Sequence, residues 1–242
     1  MAAAAQALKS SPVSAGEPIH LHPTAPLADR VLLPGDPGRA LALAQSLLDS
    51  PLMFNHHRGL WGYTGAAPDG EPLTIQSTGM GGPSAAIVLS ELIALGVRRA
   101  IRVGTCGALT PELALGSLLV ARESICADGT SRALGAGERA KADRSLTEAL
   151  IANASAARAG TVVSVDLFYD TREQRAAYDA LAIEMEAAAL FAVGAAAGVP
   201  VACILAVSDT FAPDGTRRHI DDDPLLAAAE AMGAAAVAAL SA

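Results

Sequence analysis

Short apolar runs alternate with helical stretches along almost the whole chain, and most of the runs stop at small or polar residues. Arg30–Leu33 leads into Pro34-Gly35-Asp36-Pro37-Gly38-Arg39 and then a helical pattern through Leu48. Trp61–Ala66 and Pro72–Ser77 flank Pro68-Asp69-Gly70, a turn signal that predicts a hairpin. Gly79-Met80-Gly81-Gly82-Pro83 opens a helix from about Ser84 to Leu95, which Gly96 stops. Ala100–Val103 reads as a buried strand ending at Gly104, and Ser117–Ala121 as another. A helix over Ser145–Ala157, a strand over Thr161–Val165 and a helix over Met185–Ala197 follow. Val201–Val207 is the clearest buried strand and ends at Ser208-Asp209; Pro224–Leu240 is the last helix. This alternation predicts one α/β domain over residues 18–242, a mixed sheet with helices on both faces. Residues 1–17 mix Ala, Ser, Gly and Pro and are expected to form a mobile tail.

Composition narrows the partners. Seventeen Lys and Arg against 25 Asp and Glu give a net charge of −8, which repels nucleic acid and anionic lipid except at local basic sites. No uninterrupted apolar run of about eighteen residues appears, and the nearest stretch, Leu225 to Ala242, carries Glu230 and many alanines. Cys106, Cys126 and Cys203 form no C-x-x-C pair, so reduced thiols and a cytoplasmic location are expected. With 3% aromatic residues, packing falls to alanine and branched aliphatics.

Open α/β sheets place ligands beyond the carboxyl ends of their strands. Four such ends are polar or glycine-rich here: Gly35-Asp36, Gly104-Thr105, Asp166 with Phe168, and Ser208-Asp209. Arg39 and Arg102 lie beside two of them, and Arg58 sits in Asn55-His56-His57-Arg58-Gly59. Glycine amides with guanidinium forks suit a phosphate, although singly these are ordinary loop glycines and surface arginines. His20-x-His22 and His56-His57 lack a companion Cys or carboxylate at metal-ligand spacing and read as solvated or hydrogen-bonding, so no metal is expected. Glu184-Met185-Glu186 reads as a helix start. There, Glu184 suits the helix dipole, whereas Glu186, ahead of three alanines, reads as a buried carboxylate able to accept from sugar hydroxyls. Asp209 follows a wholly apolar strand. Buried away from cations its pKa would rise and it could donate a proton; as a helix cap it would do neither.

Six segments in order carry a resemblance. They are Leu33-Pro34-Gly35-Asp36-Pro37-Gly38-Arg39, Gly79-Met80-Gly81-Gly82-Pro83-Ser84, Ile101 to Ala108, Asp166-Leu167-Phe168-Tyr169, Glu184 to Ala188, and Val207-Ser208-Asp209. Together, from roughly Ile19 onward, they resemble the hexameric purine nucleoside phosphorylase and uridine phosphorylase family.

The resemblance implies a single α/β domain with a mixed, partly barrel-like sheet, assembled as a trimer of dimers whose sites are completed by a neighbour. It implies phosphorolysis of a nucleoside, with inorganic phosphate as co-substrate and no cofactor. Phosphate would meet Gly35, Arg39, Arg102 and Thr105, plus Arg58 from the neighbour. Met80, Glu184, Met185 and Glu186 would hold the ribose, with His20 or His22 of the neighbour at the 5′-hydroxyl. Phe168 and Ile183 would line the base pocket. Asp209 would protonate the leaving base, oriented by Ser208, with Arg217 or Arg218 assisting. Ser208-Asp209 favours purines. Gln174 and Arg175, adjacent where uridine-specific relatives carry Gln-x-Arg, keep uridine as the alternative. The arginines argue against a nucleosidase, and the competent motif residues against an inactive nucleoside-binding protein.

Overall fold

The computed structural model describes residues 18–169, 177–212 and 216–242. Strands β1 (Arg30–Leu33), β2 (Asp49–Asn55), β3 (Gly62–Ala66) and β4 (Pro72–Gln76) precede β5 (Arg99–Ala108) and β6 (Leu118–Ala127). Then come β7 (Arg139–Lys141), β8 (Arg158–Val165), β9 (Ala182–Glu184), β10 (Val201–Phe211) and β11 (Arg217–His219). The helices are α1 (Pro37–Leu47), α2 (Gly82–Leu95), α3 (Gly129–Ala133), α4 (Arg144–Asn153), α5 (Ala187–Ala197) and α6 (Asp222–Ser241).

The sheet closes on itself. β5 pairs in parallel with β10, β10 antiparallel with β6, β6 parallel with β8, β8 parallel with β9, and β9 antiparallel with β5. These five strands form the barrel-like centre implied by the family resemblance. From β5 the sheet continues outward through parallel β1 and β4 and the expected β3–β4 hairpin, to β2 at the edge. β11 extends it beyond β10 and β7 lies on β6.

Side-chain alternation along β5 and β10 explains why helices cover both faces. Ile101, Val103, Ile204 and Ala206 pack with Leu43 of α1, Leu150 of α4, and Met232 and Leu240 of α6. Ala100, Cys106, Cys203, Leu205 and Val207 face the other way, with Val88 and Leu92 of α2 and Leu190 and Phe191 of α5. Arg102 has the parity of Ala100 and Cys106, so strand geometry drives its charge to that second face. α6 is long and apolar enough to cross a membrane, but half of it is buried within the fold.

Several boundaries differ from the sequence reading. β5 does not end at Gly104 but runs to Ala108, and β10 runs past Ser208-Asp209 to Phe211 with a register shift between Val207 and Asp209. Glu184 ends β9, and helix α5 begins only at Ala187. β2 and β11, mostly exposed and non-alternating, gave no periodic signal.

Candidate active site

A cleft of about 390 Å³ opens beside the carboxyl ends of the strands. It gathers most of the residues singled out from the sequence. Gly35, Arg39, Arg102 and Thr105 line it, as do Met80, Ile183, Glu184, Met185 and Glu186, and so do Phe168, Ser208, Asp209 and Arg217.

The surroundings of Arg39 and Arg102 are sterically tight. Asp36 caps α1 by accepting the Arg39 N–H at 2.7 Å, with Pro37 at the first helical turn, which fixes where Arg39 leaves the backbone. Gly35 packs against the loop before α2: its carbonyl accepts the Gly79 N–H at 3.0 Å, and a Cβ on Gly35 would lie 3.3 Å from the Gly79 carbonyl oxygen. Gly79 and Gly81 have φ of +73° and +87°, a backbone shape that glycine adopts without strain. The loop they form presents the Gly81 N–H to Glu186 Oε1 at 2.5 Å.

Arg102 is buried on the barrel wall. Its Nε donates to Glu184 Oε2 at 3.1 Å and its Nη2 to Glu186 Oε2, while Nη1 is buried with no partner among the described residues. The burial opposes its charge, but Glu186 and Glu184 outweigh that and hold it above the ordinary arginine value. Burial lowers the pKa of Arg39; Asp36 opposes this and Arg102 adds to it. Glu184 and Glu186 balance much of the charge of Arg102, and what is left for an anion to meet is the Arg102 Nη1 together with the Arg39 guanidinium.

The carboxylate pair departs from the sequence reading in a useful way. Glu184 is not in a first helical turn, yet its carboxylate accepts the N–H groups of Glu186 and Ala187 at 2.9 to 3.0 Å and so caps α5 from the preceding strand. Burial pushes its pKa up, against the pull of Arg102. Glu186 is buried, as its alanine neighbours suggested.

Asp209 is buried, but not away from cations, which corrects the expectation of a raised pKa. Its Oδ1 accepts from Arg217 Nε at 2.6 Å and faces His219 Nδ1 at 2.8 Å; its Oδ2 accepts from Ser208 Oγ at 2.7 Å. Burial raises its pKa, but Arg217, Ser208 and His219 together bring it below the usual carboxylate value. Nor does Asp209 cap a helix: it lies within β10, opposite His219 on β11. Arg217 rather than Arg218 is the arginine in contact. Its guanidinium carbon also lies 4.7 Å from the Phe168 ring centroid. His219 had no sequence signal, because only the β10–β11 pairing brings it to Asp209.

His20 and Arg58 do not line this cleft. His20 Nδ1 meets Glu91 of α2 at 2.7 Å, and Arg58 is exposed with φ 57° in the turn His57–Gly59. The two segments touch, since His57 Nδ1 lies 3.1 Å from the His20 carbonyl, and His57 stacks on His22 with ring centroids 3.8 Å apart. Gln174 and Arg175, and the tail over residues 1–17, lie outside the described residues.

The profile of the phosphorylase superfamily matches residues 29–242. The chain belongs to the phosphorylase superfamily. Among its relatives in that superfamily, the "purine nucleoside phosphorylase DeoD-type" of Geobacillus kaustophilus is 37% identical over 196 residues, covering 77% of this chain and 83% of that one. Proteins of the same name from Clostridium novyi and Alkaliphilus metalliredigens are 37% and 36% identical, over 76% and 78% of this chain and 83% and 85% of theirs.

Proposed function

We propose that this superfamily member cleaves purine ribo- or deoxyribonucleosides with phosphate, releasing the free base and the sugar 1-phosphate. The observation that carries the reading is that one cleft is lined by Arg39 and Arg102, by Met185 and Glu186, and by Asp209. The names of the relatives support the same substrate class. Phosphate sits at Arg39, Arg102, Gly35 and Thr105, near the sugar carbon that becomes cationic as the bond breaks. Glu186 accepts from the ribose hydroxyls between Met80 and Met185, and Phe168 with Ile183 holds the base.

The leaving base gathers negative charge, and a proton delivered to it lowers the barrier. Asp209 is the donor in this reading. Its Arg217 and His219 contacts favour the carboxylate in the free protein, so it takes up its proton as the site fills, and Ser208 orients the acid. Arg58 and His20, on two segments that touch through His57 and outside their own cleft, serve a neighbouring subunit's site in a dimer-based hexamer. A cytoplasmic location fits three cysteines that are free and buried, with burial pushing Cys106 and Cys203 up.

Base release from inosine, adenosine, uridine and methylthioadenosine, each with and without phosphate, tests the reading. Phosphate-dependent release from a purine nucleoside is expected. Release without phosphate would make the chain a nucleosidase, and release from uridine alone would reassign the base pocket.

A further inference from the structure

The cleft's polar network continues into the barrel beyond any atom that substrate can reach. Ser124 on β6 and Ser164 on β8 are both fully buried, with their hydroxyl oxygens 2.9 Å apart. Ser164 Oγ donates to Glu184 Oε1 and accepts the Ala188 N–H at 2.9 Å. Glu184 in turn holds Arg102 through Nε, and Glu186 holds it through Nη2. With Ser164, Arg102 and backbone N–H groups on its oxygens, the Glu184 carboxylate is occupied before any sugar arrives.

We propose that Ser164, backed by Ser124, is a positioning residue for the anion subsite: it fixes Glu184, and Glu184 fixes Arg102 so that its unpaired Nη1 meets phosphate. The inference rests on the reading that Arg102 takes phosphate. A buried carboxylate deprived of a hydroxyl donor turns toward the donors that remain. In Glu184 those are the Arg102 Nε and the first amides of α5, so the guanidinium shifts with it. Glu186 keeps its separate bond to the Gly81 N–H and stays in place for the sugar. The loss should therefore fall on phosphate and spare the nucleoside.

The test compares the full-length protein with Ser164→Ala and Ser124→Ala, measuring KM for phosphate and for the preferred nucleoside separately. KM is read on folded enzyme alone, so lost stability lowers apparent kcat without imitating the effect. Ser164→Ala should raise the phosphate KM about tenfold, the order expected for one hydrogen bond to a charged group, and leave the nucleoside KM within about twofold. Ser124→Ala removes only the outer link and should raise the phosphate KM about twofold to threefold; it carries the test alone if Ser164→Ala yields no folded protein. An unchanged phosphate KM in the folded variants, or equal rises in both KM values, would overturn the proposal. Wild-type turnover that ignores phosphate would instead remove the functional reading beneath it, a separate and visible result.

Discussion

Gly104→Ala should weaken both folding and phosphate affinity, although the glycine has no side chain to offer the cleft it lines. It lies two residues after Arg102 on β5 and on the same face, and a Cβ there would sit 2.7 Å from Arg102 Cζ and 2.8 Å from Nη2. Real Cβ contacts do not come that close, so the Gly104→Ala guanidinium must move. The side chain is not a free end, because Glu184 and Glu186 hold it at Nε and Nη2. Moving it far enough to clear a methyl group sacrifices the Nη2 bond, a charge-assisted contact worth about 1.5–3 kcal/mol. Alanine returns about 0.4–1 kcal/mol by restricting the unfolded chain. The net loss is about 1–2 kcal/mol of folding stability. If the displaced Nη1 also misses phosphate by a similar energy, the phosphate KM rises about fivefold to thirtyfold. Urea unfolding gives the first quantity and phosphate saturation at fixed nucleoside the second. Stability within about 0.3 kcal/mol of wild type together with an unchanged phosphate KM would refute the argument, since either the guanidinium is not pinned or it does not bind the anion.

Asp209→Asn should lower kcat for purine phosphorolysis by about a hundredfold or more while nucleoside binding, measured by calorimetry, changes little; unaltered turnover would remove Asp209 as donor. Arg217→Gln should let the Asp209 pKa rise toward its ordinary value. Because a depressed carboxylate contributes stability above its unfolded pKa of about 3.9 and loses it as pH falls through the lower folded value, the variant should show less acid destabilisation than wild type below about pH 4. Identical acid-unfolding profiles would mean that Arg217 does not depress Asp209. Light scattering should give at least a dimer, and a fully active monomer would remove Arg58 and His20 from the neighbour's site.

Much of this chain is legible as sequence because the decisive signals are local. Short apolar runs, most of them stopping at small or polar residues, mark the inner strands, and the wholly apolar Val201–Val207 reads as a buried strand. Asp36-Pro37 caps a helix wherever the chain places it, and six ordered segments named the cleft's lining before any coordinates. The tertiary structure alone decided the electrostatics. Glu184 reads from sequence as a first-turn helix residue, but it closes a strand and caps α5 from outside. Asp209 reads from sequence as either a proton-keeping buried carboxylate or a helix cap, but it lies within β10, and the β10–β11 pairing brings Arg217 and His219 to it. The Ser124–Ser164–Glu184 chain exists only because β6, β8 and β9 are neighbours in a closed sheet. Residue order specifies periodicity and caps within a few turns of chain, whereas pKa values and shared hydrogen bonds depend on side chains that meet only after the barrel has closed.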